Sequence, residues 1–329
     1  MVDKANGGKS DALNAGLDLA ETPLVCSVDA DSLLETDSLL RAVQPFVDDP
    51  ERTAVVGGNI RVINGCVVRH GRIKAVRLPT RLLALLQTVE YLRAFMMARL
   101  AWERLGLLMI VSGAFGIFKR ELAVAVGGYS DATVGEDLEL VVRIHRHLRA
   151  QGQDYAIRYV PEPVCWTQVP EQLGTLARQR IRWQRGALES LAMHRRMFRE
   201  RTGGRIAWLG LGHILALDLL APVVEVVGYV LMPVFLLLDV YDWEFFLAYL
   251  ALTFCFGIVV SVGTLVLEEL ELRRFPHARD LALLAFAAVF ENLGYRQIAN
   301  FWRIVGLWRW ARGAGSEWGT MVRRRFKTA

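Results

Sequence analysis

Cysteine and histidine are scarce in this sequence, and neither is arranged as a metal ligand. The four cysteines stand alone, without a C-x-x-C pair or a histidine at ligand spacing; they are Cys26, Cys66, Cys165 and Cys255. Isolated thiols of this kind exclude a disulfide framework and a cysteine-rich zinc site. We therefore expect reduced thiols, as in a cytoplasmic protein.

A strong charge excess and a secretory signal are also missing. Lys and Arg number 39 against 34 Asp and Glu, a net charge of +5, and Met1 opens directly onto polar residues. Arginines nevertheless cluster at residues 178–205 and 323–325, close to apolar segments. Such clusters either bind nucleic acid or flank a membrane on its cytoplasmic side, and the apolar neighbours favour the membrane. We therefore expect no nucleic-acid partner.

Apolar residues make up 53% of the 329 residues, which is more than an ordinary soluble enzyme contains. The excess lies in residues 206–310, whereas residues 1–205 have the charge content of a globular domain. Residues 206–238 are longer than one span, because roughly 20 apolar residues cross a bilayer, and residues 245–267 form a cleaner span. The pattern predicts a globular domain followed by membrane helices.

Charged residues orient these spans. Residues 239–244 hold acids and aromatics but no Lys or Arg, as expected outside, whereas Arg273 and Arg274 flank the inner side. Polar side chains interrupt residues 281–310, so we expect a re-entrant or interfacial element there, which keeps the basic tail at 311–329 inside. The globular domain is thus expected in the cytoplasm and the protein in the cell membrane.

Two carboxylates follow the first strand pattern. Residues 24–28 are a short apolar run of strand type, and a continued strand would point Asp29 and Asp31 the same way off its carboxyl end. Ligands bind at that end of open α/β sheets, and paired carboxylates suit Mg²⁺ or Mn²⁺ on a diphosphate. Because aspartates are also common in plain turns, the local pattern leaves both interpretations open.

Two more motifs stand at the beginning of helical patterns. Gly7, Gly8 and Lys9 form a glycine-rich turn whose amides can approach a phosphate, although a plain loop explains the turn equally well. Glu136 and Asp137 lie in or just before the first turn of a helix. Acidic residues are favoured there electrostatically, and the alternative is a general base held at the top of the sheet.

A basic helical segment carries an amide, a guanidinium and an indole on one face. Gln179, Arg182 and Trp183 stand at positions i, i+3 and i+4. Arginine suits a diphosphate bidentately, and an indole is a stacking surface for a sugar or a base. A basic helix that lies along lipid headgroups is the alternative.

The remaining periodicities predict secondary structure around these motifs. We expect a strand at residues 54–62, an amphipathic helix at 80–105 and a strand-like stretch at 109–119. A short strand at 155–160 should end at Pro161, because proline cannot donate to a ladder.

In this order, the motifs resemble the family 2 inverting glycosyltransferases, in particular the membrane-embedded processive branch of cellulose, hyaluronan and poly-N-acetylglucosamine synthases. The matching segments are Gly7-Gly8-Lys9, Asp29-Ala30-Asp31, Ser112-Gly113-Ala114-Phe115, Gly135-Glu136-Asp137, Gln179-Arg180-Ile181-Arg182-Trp183 and Phe290-Glu291-Asn292-Leu293-Gly294-Tyr295-Arg296. Each motif is weakly specific, but the ordered set with trailing apolar spans is specific. The resemblance implies an α/β nucleotide-sugar transferase fold of type A, with a Rossmann-like mixed sheet, followed by an α-helical transmembrane region.

The resemblance also implies roles for single residues. Asp31, together with Asp29, holds a divalent metal, Mg²⁺ or Mn²⁺. Asp29 and Lys9 contact the nucleotide-sugar. Asp137 is the catalytic residue that takes the proton of the acceptor hydroxyl.

On the basic helix, the resemblance implies that Gln179 and Arg182 bind the nucleotide-sugar diphosphate and that Trp183 binds the acceptor. The implied activity is metal-dependent, inverting hexosyl transfer from a UDP-sugar, with N-acetylglucosamine favoured, to a growing polysaccharide. The alternatives are a single transfer to a lipid acceptor and a non-catalytic membrane protein with a vestigial transferase domain. The implied partners are the donor, the acceptor and the lipid bilayer, and an accessory membrane subunit is compatible with them.

The family pattern has a first strand and a nucleotide-binding loop before the glycine-rich turn, and this sequence does not contain them. We therefore expect an N-terminally truncated transferase domain at residues 1–205. Transmembrane and interfacial helices are expected at 206–310, and a basic cytoplasmic tail at 311–329.

Overall fold

The computed structural model describes residues 2–272, 275 and 277–313. The predictions for Arg273, Arg274 and the arginine cluster at 323–325 lie outside the described residues. The strands in the described part are β1 (Leu24–Val28), β2 (Leu33–Leu34), β3 (Thr53–Val62), β4 (Val67–Arg69), β5 (Arg72–Ala75), β6 (Phe115–Lys119) and β7 (Ala156–Thr167).

The helices of the described part are interspersed with these strands up to β7, and the elements after β7 are all helical. The α-helices are α1 (Lys9–Leu19), α2 (Ser38–Asp48), α3 (Leu82–Tyr91), α4 (Arg99–Arg104), α5 (Arg120–Ala125), α6 (Glu136–Ala150), α7 (Leu173–His194), α8 (Ala221–Leu237), α9 (Trp243–Glu271), α10 (Ala278–Phe290) and α11 (Arg296–Ala311). The π-helical segments are Leu92–Ala98, Ile206–Leu211, Ile214–Leu220 and Glu291–Tyr295, and a 3-10 turn spans Arg195–Phe198.

The main sheet is mixed, with the strand order β1-β6-β3-β7-β2. β3 and β7 are parallel, whereas β6 is antiparallel to both of its neighbours and β2 is antiparallel to β7. β1, β3 and β7 therefore point the same way. Because Val28 at the end of β1 pairs with Phe115 at the start of β6, the chain after β1 lies beside the chain before β6.

Side chains alternate across β3 and build a core on each face of this sheet. Val56 and Ile60 pack in the cluster that contains Phe46 of α2. Val55, on the opposite face, packs in the cluster that contains Leu140 and Ile144 of α6. The strand predicted at residues 54–62 is confirmed, and the helices on both faces place the sheet in the middle layer.

The prediction that the strand at 155–160 ends at Pro161 is wrong, because β7 continues past the proline to Thr167. The register with β3 is irregular between Gly58 and Ile60, opposite this part of β7. There the Asn59 side-chain Nδ2 donates a hydrogen bond to the Pro161 carbonyl oxygen at 2.7 Å. This side-chain amide satisfies an acceptor that the irregular ladder leaves open, so the sheet continues beyond the proline.

The strand-like stretch predicted at 109–119 is a strand only in β6, from Phe115 onward. Ahead of it, the backbone turns, and the Phe115 N–H donates to the Ser112 carbonyl oxygen at 3.0 Å. The Ser112 hydroxyl also accepts a 3.3 Å hydrogen bond from the Ala114 N–H. These local hydrogen bonds use backbone N–H groups that would otherwise pair with a neighbouring strand, which explains the late start of β6.

The helix predicted at 80–105 is confirmed as a continuous helical segment, but its middle is a π-helix at Leu92–Ala98 between α3 and α4. π-helical segments are rare and widen the helix locally. The long apolar part is confirmed as helical too. Ile206–Leu237 and Trp243–Glu271 are long and apolar enough to cross a membrane. The first of them begins against the globular domain, where Ile206 and Leu211 are buried beside Leu138.

Candidate active site

The two aspartates after β1 lie on a tight turn at the edge of the sheet. The Ser32 N–H donates to the Asp29 carbonyl oxygen at 2.9 Å and closes the turn. The Asp29 N–H donates to the Ala114 carbonyl oxygen at 3.4 Å, which ties the turn to the chain before β6. The strand therefore does not continue to Asp31. The orientation of the two carboxylates is determined by this turn and not by the alternation of side chains along a strand.

The charges of both carboxylates nevertheless influence the same group at the sheet edge, the Cys165 thiol. Burial raises the pKa of the Cys165 thiol to about 12, a hydrogen bond with Ser32 opposes this, and the charges of Asp29 and Asp31 add to the rise. Cys165 lies on β7, next to the turn in the fold, and is completely buried. Both carboxylates therefore lie within electrostatic range of the Cys165 thiol.

Lys9 is placed at this edge by the start of α1. Gly8 precedes the helix with a φ of +92°, a conformation that favours glycine. The Lys9 ammonium lies 2.8 Å from Asp29 Oδ1 and 3.1 Å from Glu136 Oε1. Burial lowers the pKa of Lys9, but the surrounding carboxylates outweigh burial and raise that pKa overall. Lys9 is therefore a permanent cation between two acids from distant parts of the chain.

Asp137 lies in the first turn of α6, which begins at Glu136, in agreement with the helical pattern of the sequence. The Gly113 N–H donates to Asp137 Oδ2 at 2.8 Å, and the Leu138 N–H donates to Oδ1 at 2.9 Å. Burial and the charge of Asp137 raise the pKa of Glu136. Two amide donors thus hold the Asp137 carboxylate in one orientation, beside a second carboxyl group whose pKa is raised.

Gly113 is the residue that lets Lys9 and Asp137 approach each other. A Cβ at Gly113 would lie 2.6 Å from the Lys9 Nζ and 3.2 Å from Asp137 Oδ2. Both distances are shorter than ordinary contacts, so a side chain here would displace the charged groups. The arrangement of Lys9 and Asp137 therefore leaves no room for a side chain at Gly113, the glycine of the S-G-A-F segment.

Helices α6 and α7 meet at a pair of glycines, Gly135 and Gly186. A Cβ at Gly135 would lie 2.8 Å from the Gly186 Cα, and one at Gly186 would lie 2.7 Å from the Gly135 Cα. The Val134 N–H also donates to Glu189 Oε2 on α7 at 3.0 Å. This close crossing holds the first turn of α6, with Asp137, against the helix that carries the Gln179–Trp183 segment.

The three residues singled out on α7 differ in exposure. Gln179 is buried, and its Oε1 has no hydrogen-bond partner among the described residues. Arg182 is half-buried, whereas Trp183 is 43% exposed. A buried amide oxygen without a partner costs free energy, which is the expected property of a group that awaits a ligand. The direct contacts of the site join Lys9 to Asp29 and Glu136, and Asp137 to the Gly113 amide, whereas the α7 residues lie on the neighbouring helix.

Asp29 and Asp31 suit a divalent metal that a bound diphosphate helps to hold. Within residues 2–272, 275 and 277–313, no group of three or more His, Cys, Asp or Glu side chains is arranged to hold a metal. Mg²⁺ typically takes one or two carboxylates together with substrate phosphates and water. The two aspartates on this turn are a donor set of that kind. Asp29 already pairs with one cation, the Lys9 ammonium.

A buried network that no sequence pattern predicted lies next to the site and is formed by Glu90, Arg180 and Tyr295. Arg180 stands between two residues that were singled out, yet it is the largest fully buried side chain of the described part. An arginine in a basic helix gives no sequence signal of burial, because its partners lie about 90 and 115 residues away in the chain.

A solved mannosyltransferase from Pyrobaculum calidifontis, in complex with GDP-Man and Mn²⁺, matches this fold with a TM-score of 0.52 and 21% sequence identity. The match covers 88% of this chain and 68% of the mannosyltransferase. The fold is therefore a glycosyltransferase fold of type A with a mixed sheet, followed by a helical region with two candidate membrane-spanning helices. Residues 2–186 match the family described as "Glycosyltransferase like family 2", and the chain belongs to that family.

Curated relatives of this chain are bacterial polysaccharide synthases. Two poly-beta-1,6-N-acetyl-D-glucosamine synthases, from Staphylococcus aureus strains COL and N315, are each 32% identical over 186 residues, which is 56% of this chain and 40% of the relative. The synthase with the same name from Staphylococcus epidermidis is 30% identical over 188 residues, 57% of this chain and 40% of the relative. The matched part thus spans less than half the length of these relatives. The expected family and fold class are confirmed.

Proposed function

We propose that this chain is a membrane-bound, metal-dependent inverting glycosyltransferase that moves a sugar from a UDP-sugar to a growing polysaccharide. The observation that carries the proposal is the Asp137 carboxylate, held by the Gly113 amide at 2.8 Å at the same sheet edge as the Lys9–Asp29 pair. A proton acceptor and a cation-binding turn are the two groups that this transfer needs. The names of the staphylococcal relatives favour N-acetylglucosamine as the sugar.

The donor diphosphate would bind at the turn after β1. Asp29 and Asp31 would hold Mg²⁺ or Mn²⁺, and the bound metal would supply positive charge that stabilises the leaving diphosphate. The Mn²⁺ of the structurally similar mannosyltransferase supports this role. Gln179 and Arg182 would bind the diphosphate from α7, because guanidinium groups match phosphate oxygens in pairs.

Asp137 acts on the acceptor in this proposal. The acceptor oxygen forms a bond to the anomeric carbon while the bond from that carbon to the diphosphate breaks, and Asp137 takes the acceptor proton. A single displacement of this kind inverts the anomeric configuration. The two amide donors hold the carboxylate in place, so little reorganisation is needed at the moment of reaction.

The helical half would anchor the enzyme and conduct its product. We propose that Ile206–Leu237 and Trp243–Glu271 cross the bilayer, that residues 281–310 lie at or re-enter the membrane, and that residues 1–205 with the tail at 311–329 are cytoplasmic. Both candidate helices are largely unburied within the chain, as lipid-facing helices are. An accessory membrane subunit would contact this helical half.

The experiment is sugar transfer by membranes that contain the chain, with radiolabelled UDP-sugars, in the presence and absence of Mn²⁺ or Mg²⁺. We expect metal-dependent incorporation from UDP-N-acetylglucosamine into a ladder of polymer sizes. Asp137→Asn should abolish it, because the amide cannot take a proton. Asp131→Asn, a change of the same kind at an exposed position in the preceding loop, should leave transfer intact.

Other outcomes would replace the proposal. One added sugar in place of a ladder would indicate a single-transfer enzyme with a lipid acceptor. If no UDP-sugar is transferred with either metal, or if Asp137→Asn transfers as well as the wild type, the catalytic proposal fails. A non-catalytic membrane protein with a vestigial domain would then be the better description.

A further inference from the structure

Arg180 is completely buried although it lies in the most basic helix of the domain. Its Nη2 lies 2.6 Å from Glu90 Oε2 on α3 and donates to the Tyr295 hydroxyl at 3.3 Å. The Tyr295 hydroxyl in turn donates to the same Glu90 oxygen at 2.7 Å. The three side chains therefore form a closed triangle that joins α7, α3 and the end of the π-helical segment Glu291–Tyr295.

The charges in this triangle compensate each other. Burial would raise the pKa of Glu90, but the Arg180 charge and the Tyr295 hydrogen bond outweigh it, so that the pKa is lowered overall. A buried ion pair of this kind seldom adds net stability, because desolvation of the two charges cancels their attraction. It does impose one geometry, since a displaced partner leaves a charge buried without compensation.

The Arg180 guanidinium also lies over the indole of Trp183. Its Cζ is 4.5 Å from the centre of the ring, one turn further along α7. This contact covers one face of the indole, while Trp183 remains 43% exposed. The triangle thus holds a guanidinium group over an aromatic ring that is still 43% exposed and therefore has surface left for stacking.

Tyr295 brings the helical half of the chain into this arrangement. It ends a segment with a sharp kink, because Leu293 and Gly294 leave the helical conformation, and Gly294 has a φ of +104°. At the start of the same segment, Glu291 pairs with Arg93, and Arg93 also donates to the Ser261 hydroxyl of α9 at 2.8 Å. The position of Tyr295 is therefore set by the packing of the kink against both halves of the molecule.

We propose that Arg180 is a positioning residue, which holds the Trp183 indole as the acceptor platform and, through Glu90 and Tyr295, couples the platform to the kink in the helical half. The acceptor role of Trp183 rests on the proposed function, whereas the coupling of Trp183 to the triangle does not. Lysine cannot replace Arg180, because a point charge cannot pair with Glu90 and also present a flat surface to the indole.

The coupling is tested by fluorine NMR of the full chain in detergent micelles, with fluorotryptophan in place of tryptophan. Trp183→Phe assigns the Trp183 signal by its disappearance. We expect Arg180→Lys and the milder Tyr295→Phe to shift and broaden that signal. Arg178→Lys, an exposed arginine two residues away that contacts Thr175, should leave the signal unchanged. A Trp183 signal that is unchanged in both Arg180→Lys and Tyr295→Phe would overturn the proposal.

The effect on the acceptor is tested with Tyr295→Phe, which keeps the ring and removes only the hydroxyl. The substrates are UDP-N-acetylglucosamine and a short N-acetylglucosamine oligomer. We expect the KM for the oligomer to rise roughly fivefold and the polymers to shorten, because a less firmly held indole binds the acceptor more weakly. The KM for the donor should stay within about twofold of the wild-type value, because the variant leaves the diphosphate site unchanged. Equal losses for donor and acceptor would contradict a platform role.

The two readouts separate the two proposals. If the wild type transfers no sugar but the triangle variants shift the Trp183 signal, the proposed function fails and the coupling stands. If transfer is normal and the signal does not respond to the triangle variants, the coupling fails and the proposed function stands.

Discussion

At the residue scale, the site is a compact arrangement of opposite charges around Lys9. Its ammonium contacts Asp29 after β1 and Glu136 at the start of α6, residues that are more than 100 positions apart. Asp137 accepts a hydrogen bond from the Gly113 amide beside this group. Because Gly113 has no side chain, Lys9 and Asp137 can both lie close to it. Each charge is therefore compensated by a group on another element, which limits the cost of burying it.

Gly113→Ala should disable the site without unfolding the domain. The added Cβ would lie 2.6 Å from the Lys9 Nζ, so the flexible end of Lys9 must leave Asp29. We expect kcat/KM for sugar transfer to fall roughly 10- to 100-fold, since a misplaced site group costs rates of this order. Thermal unfolding should change little. Gly16→Ala, where an added Cβ meets nothing within 4 Å, is the matched control. Full activity in Gly113→Ala would contradict the close packing.

His145 is a buried histidine away from this site. Its Nε2 lies 3.0 Å from the Leu108 carbonyl oxygen, which only accepts, so Nε2 carries the hydrogen. Its Nδ1 then accepts from the Tyr155 hydroxyl at 2.7 Å. Burial lowers the pKa of His145 from 6.5 to about 4.

This histidine should make the protein sensitive to acid. Between pH 6.5 and about 4 the unfolded chain binds a proton that the folded chain does not, so stability is complete above pH 6.5 and lost as the pH falls. The full effect is about 3 kcal/mol. Thermal unfolding at neutral and acid pH would measure it, with His145→Gln as the comparison. If both proteins lose the same stability on acidification, His145 is not the cause.

At the scale of elements, helix ends and crossings decide where the functional groups lie. The periodicity of apolar residues is sufficient to predict β3 and α6, because alternation and helical spacing are local properties of the chain. It failed at Pro161, where Asn59 of another strand supplies the missing bond, and ahead of Phe115, where turn hydrogen bonds delay β6. Only the first error comes from a contact outside the local window, because the turn hydrogen bonds ahead of Phe115 join residues no more than three positions apart.

The crossing of α6 and α7 depends on two glycines. Gly186→Ala would place a Cβ 2.7 Å from the Gly135 Cα, against backbone that cannot move aside. We expect a loss of about 1–3 kcal/mol in unfolding free energy, as for other overpacked contacts. Sugar transfer should fall as well, because the helices must separate.

Gly263→Ala is the control for this crossing, since an added Cβ on α9 meets nothing within 4 Å. Unfolding of the purified variants in detergent measures the loss of stability, and the transfer assay with membranes measures the loss of activity. If Gly186→Ala unfolds at the wild-type temperature, the helices do not cross as closely as described.

At the scale of the whole molecule, buried ion pairs join the globular domain to the apolar helices. Arg61 of β3 pairs with Glu268 near the end of α9, and both side chains are almost fully buried. Arg93, which is 31% exposed, pairs with the buried Glu291 at the kink. Two domains that were connected only by a linker would not need such pairs, so the two halves form one packed unit.

Breaking the Arg61–Glu268 pair should destabilise this unit. Arg61→Met leaves the Glu268 charge buried without compensation, which costs about 3–5 kcal/mol in comparable cases. The double variant Arg61→Met with Glu268→Leu should recover much of the loss, because no charge remains buried. Arg72→Met, at an exposed position of β5, should have little effect. A double variant as unstable as the single one would show that packing, not charge, dominates this contact.

The sequence alone determined the fold class, the family and the two long apolar helices, because these depend on periodicity, composition and ordered motifs that lie within short windows. Only the tertiary structure decided which charges compensate each other. Lys9, Glu136 and Gly113 meet through the order of the strands, and Arg180 is buried because Glu90 and Tyr295 arrive from distant elements. Charge compensation acts over a few ångströms in space, and no local pattern in the chain records which residues the fold will bring that close.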